Sequence, residues 1–329
     1  METIKIQTLY AMQQEKPDIV ILYGDIFDFQ WAVDINGRKM HFIDFIRHIS
    51  PDIKIFAYLT IDAKYNSSKI NLQVFNRVLV TTQFGANECQ NSLPYVPEYV
   101  YHGVDPDFFY PLPKNIVNDH KKKNKIGGEF IVMAFSRNQY RKNWPATFKI
   151  FGEFAKDKNA KLLLLTELDN PFGTHDLREL ISRYGCNNKI IYHPISAKGG
   201  ISDSQLNVIY NTCDLFMTTS FSEGFLCPLL EAAACGKSSI GPDYSGHGEI
   251  IKKSGGFPVS IEGYVCQEHL AGNMSDREFA VVNEREFIDK LNYLYNNPHE
   301  IKIAAQKALS FAKEHSWIRS ANKIMEIIK

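Results

Sequence analysis

The sequence has 329 residues, a length typical of two domains, and its 44% hydrophobic and 22% charged residues are those of a globular protein. Lysine plus arginine and aspartate plus glutamate number 37 each, so the charge balance gives no reason to expect a nucleic-acid partner. The chain starts without a signal-peptide pattern, no apolar run approaches the ~18 residues of a membrane-spanning helix, and the six cysteines show no metal-type spacing. We therefore expect a reduced, cytoplasmic protein.

Seven apolar runs alternate with helix-like segments along the chain. Runs this apolar, without a polar alternation, are typical of strands that are covered on both faces. Three of them lie in the first part: DIVILY (18–23), IKIFAYL (53–59) and RVLVTT (77–82). Four follow a break in composition: FIVMAF (130–135), KLLLLT (161–166), KIIYH (189–193) and DLFMTTS (214–220). Repeated β-then-α units predict an α/β protein with parallel, doubly wound sheets.

The break between the two groups of strands is rich in Pro, Lys, Asn and Gly and predicts a linker. We place an N-terminal Rossmann-like domain at 1–112, the linker at 113–128 and a C-terminal Rossmann-like domain at 129–312. A last helix, 313–329, is expected to pack back towards the N-terminal domain. The lysines of the linker favour a solvated connector, with a peripheral contact to anionic membrane as the other interpretation.

The segment SEGFLCPLLEAAACGK (222–237) follows the last predicted strand and combines a loop with the start of a helix. Pro228 fits the first helical turn, and Gly224 allows a backbone to approach a ligand closely. Glu223 lies in the loop and Glu231 about one turn into the helix, where two carboxylates can accept hydrogen bonds from two diols. Two interpretations stay open at this point. Either both glutamates bind a sugar nucleotide, or Glu231 complements the dipole at the N-terminus of the helix and Glu223 is a solvated charge in the loop.

A second loop, FSRNQYRKN (135–143), connects another predicted strand to a helix that Asn143 can cap. Arg137 and Lys142 are five residues apart across this turn. Two cations beside a helix N-terminus suit a diphosphate, with a fork from arginine and a point charge from lysine. Arg141 is a weaker candidate for the same role, and simple surface charge is the alternative for each cation by itself.

These segments resemble the group 1 family of retaining glycosyltransferases with the GT-B fold. EGFLCPLLE is similar to the family's E-x7-E signature, and SRNQYRKN resembles its Arg-x4-Lys loop. YHGVDPDFFYP (101–111) is similar to the segment that closes the family's N-terminal domain. The likeness extends over nearly the whole chain, and the resemblance implies two Rossmann-type domains that face a cleft.

The resemblance also implies roles for the matched positions. Glu231 would hold ribose hydroxyls, and Glu223 would hold hydroxyls of the donor sugar. Arg137 and Lys142 would stabilise the departing diphosphate, whose charge grows in the transition state. The remaining donor contacts would come from Gly224, from the backbone N–H groups of Phe225 and Leu226, and from the nucleobase loop near Ile195. No metal ion is expected, because the family needs no metal-binding carboxylate motif. No cofactor is expected either, since the sequence shows no phosphorylase-like lysine site for a pyridoxal cofactor.

Two features of this sequence depart from the family pattern. Leu226 stands where a second glycine is usual, and a leucine there narrows the sugar pocket or moves the loop, which leaves the identity of the donor sugar open. The donor is expected to be a UDP- or GDP-sugar. The N-terminal domain looks incomplete, because the family's first strands should precede 16–25 and only 1–15 is present. On the acceptor side, Asp62 and His102 are the nearest candidates, with a structural hydrogen bond as the favoured role of His102.

The leading hypothesis is a transferase that moves a sugar from a nucleotide-sugar donor to a saccharide, lipid-linked or protein acceptor, with retention of configuration and without a metal. The alternative is a truncated, catalytically weak relative that binds the nucleotide sugar without turnover. In both cases strand 18–23 would have one open edge, which we expect either to be covered by a partner chain or to be left prone to association. The segment 2–15 is expected to form a helix over part of the exposed face.

Overall fold

The computed structural model describes residues 12, 14–25, 32–35, 38–65, 71–169, 173–194, 200–266 and 277–329. The N-terminal part contains, in chain order, β1 (Ile19–Asp25), β2 (Ala32–Ile35), β3 (Arg38–His41), α1 (Phe42–Ile49), β4 (Lys54–Thr60), β5 (Arg77–Val80), α2 (Gln83–Cys89) and β6 (Glu98–Tyr99). Strands β1, β4, β5 and β6 form a parallel sheet in the order β1-β4-β5-β6, and β2 and β3 form a separate antiparallel hairpin.

Among the described residues, strand β1 pairs on one side only, with β4. The predicted pairing of 18–23 with 53–59 is confirmed. Two apolar residues of this edge strand, Ile21 and Tyr23, are 41% and 59% exposed. The helix predicted for 2–15 lies mostly outside the described residues. Of that segment, Met12, Gln14 and Glu15 are described and helical, and Met12 packs into the sheet's core.

The C-terminal part contains a longer series of elements. In chain order they are α3 (Lys114–Lys123), β7 (Phe130–Phe135), α4 (Trp144–Ala155), β8 (Ala160–Thr166), α5 (Leu177–Arg183), β9 (Ile190–Pro194), α6 (Asp203–Thr212), β10 (Leu215–Met217), α7 (Cys227–Ala234), β11 (Ser238–Pro242), α8 (Ser245–Lys253), β12 (Phe257–Val259), β13 (Ile261–Cys266), β14 (Glu278–Val282), α9 (Glu284–Asn296), α10 (Pro298–Glu314) and α11 (Trp317–Ile328).

Six of these strands form a parallel sheet in the order β12-β11-β10-β7-β8-β9. Counted from β7, this is the order 6-5-4-1-2-3 of a doubly wound nucleotide-binding domain. Apolar clusters cover both faces of the sheet, which explains why its strands read as continuous apolar runs. The topology reverses between β7 and β10, and ligands of such sheets bind outside the carboxyl ends of the strands at this point.

Helix α4 shows why the local sequence folds as it does. The side chain of Asn143 accepts a hydrogen bond from the backbone N–H of Ala146, and Pro145 lies in the first turn, where its missing N–H costs nothing. Phe148, Phe151 and Phe154 are fully buried. Each such side chain contributes about 1.5–3 kcal/mol of burial free energy, so α4 is held firmly at the end of the Arg137–Lys142 loop.

The predicted linker contains a helix that the sequence analysis did not anticipate. Helix α3 packs on α6, and His120 and Thr212 form a hydrogen bond of 2.8 Å. At the other end of the chain, Ile324, Ile327 and Ile328 of α11 join an apolar cluster with residues of the N-terminal sheet. No helix in the described part of the chain is long and apolar enough to cross a membrane.

Candidate active site

The loops that follow β7 and β10 meet at the reversal point of the C-terminal sheet. The two strands are parallel neighbours, with Leu215 opposite Val132 and Phe216 opposite Met133, so their carboxyl ends lie side by side. The backbone N–H of Phe221 donates to the carbonyl of Arg141 over 2.8 Å and joins the two loops directly. The fold therefore brings together the two segments that the sequence singled out.

Glu223 is the centre of a buried ion-pair cluster. Its residue is only 3% exposed, and its two carboxylate oxygens contact Arg141 and Lys142 separately. The oxygen that pairs with Lys142 also accepts a hydrogen bond of 2.8 Å from the Ser220 hydroxyl. A buried carboxylate is tolerated when it is paired and hydrogen-bonded in this way.

The electrostatics of this cluster favour the ionised carboxylate. Burial by itself raises the pKa of Glu223, but the charges of Lys142 and Arg141 outweigh it and hold this pKa at about 2. Burial also lowers the pKa of Lys142, against the opposing effect of Glu223. Burial by itself lowers the pKa of Arg141 as well. The nearby charges, with that of Glu223 first, outweigh this effect, so the pKa of Arg141 is raised. The carboxylate of Glu223 is thus ionised between a buried lysine and an arginine whose side chain is 34% exposed.

The structure places Arg141, the weaker candidate from the sequence, in this cluster and leaves the side chain of Arg137 exposed. A single turn of 3-10 helix, Tyr140–Lys142, aims two consecutive side chains at Glu223. The carbonyl of Arg137 accepts a hydrogen bond of 3.0 Å from the indole of Trp144, which fixes the backbone of the loop. Sequence spacing indicated the right loop, but not which arginine contacts the glutamate.

The backbone of the Glu223 loop is tightly enclosed. The carbonyl of Gly224 accepts a hydrogen bond of 3.1 Å from Thr81 of the N-terminal part, and a Cβ added at Gly224 would lie 3.0 Å from the Cβ of Thr60. Leu226 has a φ of 73° in the left-handed region, which explains why glycine is the usual residue there. The hydrogen bond from Thr81 also brings the carboxyl end of β5 in the N-terminal sheet against the Glu223 loop.

Glu231 lies in α7, one turn beyond the loop. It accepts a hydrogen bond of 2.6 Å from the hydroxyl of Tyr210, and burial raises its pKa more than this bond lowers it. Its second oxygen is the one that a ligand hydroxyl could use. Ile195, predicted to lie near the nucleobase, is outside the described residues.

The N-terminal sheet presents its own charged residues to the same region. Asp62 follows β4 and pairs with Arg277 over 3.1 Å, and Arg277 also contacts Asp25 at the end of β1 over 3.2 Å. Both aspartates raise the pKa of Arg141, although less than Glu223 does, so they lie close to the Glu223 cluster. Asp25 and Arg277 were not identified from the sequence, because they are 252 positions apart along the chain.

Two buried histidines differ in how they relate to the cluster. His102 bonds to the hydroxyls of Tyr58 and Tyr23 over 3.2 and 3.3 Å, and burial lowers its pKa to about 4, which fits the structural role that the sequence favoured. His247, which the sequence did not single out, is fully buried near Glu223, and burial also lowers its pKa to about 4. Its Nδ1 lies 3.2 Å from the Ser245 hydroxyl, which accepts the backbone N–H of Glu223.

The described residues contain no group of three or more histidine, cysteine, aspartate or glutamate side chains that could hold a metal ion. The expectation that no metal takes part in the reaction stays a prediction.

The structure combines two Rossmann-like domains, whose parallel sheets face a cleft, with a buried glutamate–cation cluster at the reversal point. These features define a GT-B protein of the glycosyltransferase class. The chain belongs to the family of glycosyl transferases group 1, whose model matches residues 115–307, more than half of the chain. The predicted α/β fold class and the family resemblance are both confirmed.

Among curated proteins, the serotype-specific mannosyltransferase WbdA of Escherichia coli is 28% identical over 133 residues, which are 40% of this chain and 16% of WbdA. The match therefore covers about a sixth of that relative. Among solved structures, a glycosyltransferase from Rickettsia africae ESF-5 superposes with a TM-score of 0.73 at 16% identity, over 98% of this chain and 79% of that one. Anabaena Alr3699/HepE in complex with UDP superposes with a TM-score of 0.72 at 15% identity, over 99% and 82%.

Proposed function

We propose that this chain transfers a sugar from a UDP- or GDP-sugar to a saccharide, lipid-linked or protein acceptor, with retention of configuration and without a metal ion. The observation that carries the proposal is the buried contact of Glu223 with Lys142 and Arg141 at the reversal point of the C-terminal sheet. A hydroxyl-binding carboxylate and diphosphate-binding cations in direct contact match the junction between a sugar and its diphosphate. The UDP bound to Alr3699/HepE supports the same type of donor.

In this proposal the donor replaces an internal ion pair. The diphosphate takes over Lys142 and Arg141, with Arg137 joining from the loop, and the sugar hydroxyls take over the oxygens of Glu223. The cations then face the group whose negative charge grows as the bond from the sugar to the diphosphate breaks. The acceptor oxygen forms the new bond to the sugar, and its proton leaves with the diphosphate or with water.

The other donor contacts follow the same division of roles. Glu231 keeps the hydrogen bond from Tyr210 and offers its other oxygen to the ribose hydroxyls. The N–H groups of Phe225 and Leu226 lie beside the sugar, and Ile195 belongs to the loop for the nucleobase. The acceptor enters between this site and Asp62, whose pairing with Arg277 fixes its position.

Two further partners belong to the proposal. A partner chain covers the edge of β1, where Ile21 and Tyr23 are exposed and no strand of the described residues pairs. The lysines of α3 give the protein a surface that anionic membrane can attract. We keep a cytoplasmic location as the expected compartment for nucleotide-sugar chemistry.

A donor screen tests the proposal. Thermal-shift measurements with UDP-, GDP- and ADP-sugars identify the donor, and incubation with that donor and candidate acceptors, in buffer with EDTA, is followed by NMR analysis of the anomeric configuration of the product. Retained configuration with EDTA present is the expected result. Binding of the donor with no product under any acceptor would support the alternative, a nucleotide-sugar-binding relative without turnover. An inverted product or a strict requirement for Mg²⁺ or Mn²⁺ would contradict the mechanism.

A further inference from the structure

A second pocket lies away from the candidate active site, between α3, α6 and the edge strand β9. We call it the α3–α6 pocket, and its volume is about 580 Å³, within the range of sites that hold small organic ligands. Both helices contribute apolar and polar side chains to its lining. The lining includes the apolar residues Ile116, Ile201, Val208 and Ile209 and the polar residues Asp119, His120, Lys123, His193 and Gln205.

The hydrogen bonds around His120 determine which of its nitrogens is available. The hydroxyl of Thr212 donates to the carbonyl of Val208 over 2.8 Å, so its oxygen can only accept from Nδ1 of His120, which lies 2.8 Å away. The proton of the neutral ring is therefore on Nδ1. Nε2 of His120 carries a lone pair and accepts hydrogen bonds.

His193 is the second imidazole of the pocket. Its ring centroid lies 5.4 Å from that of His120, and its Nε2 is buried without a hydrogen-bond partner among the described residues. A buried polar nitrogen without a partner is destabilising, and a hydrogen bond to a ligand hydroxyl would remove that cost. Burial lowers the pKa of both histidines, so near neutral pH both rings are neutral and offer hydrogen bonds rather than charge.

The side chains that line the pocket include one cation, Lys123, and one anion, Asp119, and further positive charge comes from the lysine-rich end of α3. The last turn of α3 carries Lys121, Lys122 and Lys123, of which Lys123 lines the pocket, and Lys125 follows the helix. Gln205 uses its side-chain oxygen in the capping box of α6, which leaves its NH₂ group to donate. These groups attract an anion, while the two neutral imidazoles require hydroxyl groups on the same ligand.

We propose that the α3–α6 pocket binds a small organic anion that also carries hydroxyl groups, a phosphorylated sugar or polyol, with its negative group on Lys123 and its hydroxyls on His120 and His193. The apolar face of such a ligand lies on Ile116 and Val208. The same chemistry is offered by a soluble sugar phosphate and by the headgroup of an inositol phospholipid, and a volume of about 580 Å³ exceeds what an inorganic phosphate alone would fill.

This pocket is distinct from the proposed donor site. Val208 lines the pocket, whereas Tyr210, two residues further along α6, points to Glu231. Successive residues of a helix are rotated by about 100°, so these two side chains leave α6 in opposite directions. A ligand that lies on Val208 is therefore separated from Tyr210 and Glu231 by the helix itself, and none of the described residues assigned to the nucleotide sugar lines the α3–α6 pocket.

Glucose 1-phosphate is the soluble probe. It is titrated into the 329-residue chain with ¹⁵N-labelled histidine, and binding is followed by NMR. We expect saturable shifts of the His120 and His193 ring signals. Lys123→Ala should weaken this binding about tenfold, the loss expected for one charge-assisted hydrogen bond. Lys122→Ala is the matched control, because it removes the neighbouring exposed charge of the same helix and should leave the affinity within about twofold.

A lipid arm separates the two sources of the ligand. In a flotation assay with phosphatidylinositol vesicles, binding of the wild-type chain but not of the Lys123→Ala variant would assign the pocket to a lipid headgroup. Saturable binding of glucose 1-phosphate would assign the pocket to a soluble ligand. The proposal is wrong if neither probe binds, or if uncharged glucose binds as tightly as its phosphate. It is also wrong if Glu231→Ala abolishes the binding and Lys123→Ala does not, because the probe would then occupy the donor site.

Discussion

The strongest quantitative prediction concerns the contact between Glu223 and Lys142. The usual pKa of a glutamate is 4.5 and that of Glu223 is about 2, a difference of roughly 2.5 units. At 1.36 kcal/mol per unit, the folded protein favours the ionised side chain by about 3 kcal/mol, in spite of its burial. Glu223→Gln, which resembles the protonated form, should therefore lower the free energy of unfolding by about 3 kcal/mol at pH 7.

A double-mutant cycle separates the pair from its surroundings. Lys142 is 10% exposed, so Glu223→Gln leaves a buried ammonium that has lost its counter-charge. We expect Lys142→Met to relieve part of this cost, so that the double variant is more stable than the sum of the single losses by about 1–3 kcal/mol. The free energies come from urea unfolding at pH 7 followed by circular dichroism.

Lys149 and Glu284 provide a matched control. Their charged atoms are also 2.5 Å apart, but the Lys149 side chain is 54% exposed, and such surface pairs contribute at most about 1 kcal/mol. A coupling between Glu223 and Lys142 that is no larger than the coupling of this control pair would refute the electrostatic account of the site.

The remaining predictions address other parts of the molecule. Glu231→Ala should weaken nucleoside diphosphate binding about ten- to a hundredfold in calorimetry, since one charge-assisted hydrogen bond is lost, and an unchanged affinity would remove Glu231 from the ribose site. Gly246→Ala should lower the free energy of unfolding in urea by about 1–3 kcal/mol, because the added Cβ would lie 2.2 Å from the carbonyl oxygen of Gly224. Gly127→Ala is the control and should lower it by less than about 1 kcal/mol, because no atom lies within 4 Å of the added Cβ. Equal losses for the two variants would contradict this packing. Burial lowers the pKa of His102 from its usual 6.5 to about 4, so the unfolded chain binds more protons between these values, and the free energy of unfolding should fall as the pH drops from 6.5 to 4. His102→Gln should flatten that part of a pH series of urea unfolding curves, and a profile identical to the wild type would show that His102 does not contribute.

The sequence predicted those parts of the fold that depend on local patterns. All seven apolar runs are strands, and Asn143 caps α4 as expected, because burial on both faces and capping leave a signal within a few residues. Helix α3 was missed since its ten residues are mostly polar and lysine-rich, and its contact with α6 is a tertiary one. No periodicity within the segment indicates that contact.

The candidate site was predictable at the level of loops and not of side-chain pairs. The E-x7-E spacing located Glu223 and Glu231, but the choice of Arg141 over Arg137 depends on one turn of 3-10 helix. His247 became apparent only through its burial. Contacts between residues more than 200 positions apart, such as Asp62 with Arg277, arise where the segment after β4 meets the start of β14, and they leave no trace in local sequence.

The most direct test of the central claim compares a nucleoside diphosphate with its sugar in one calorimetric experiment. For the donor that the screen identifies, the wild-type chain should bind the nucleotide sugar more tightly than the bare diphosphate, through hydroxyl contacts to Glu223. Glu223→Gln should reduce this gain by about tenfold or more, while the affinity for the bare diphosphate stays the same or rises as Lys142 and Arg141 are released. Equal losses for both ligands, or a sugar contribution that survives the substitution, would contradict the assignment of Glu223 to the donor sugar.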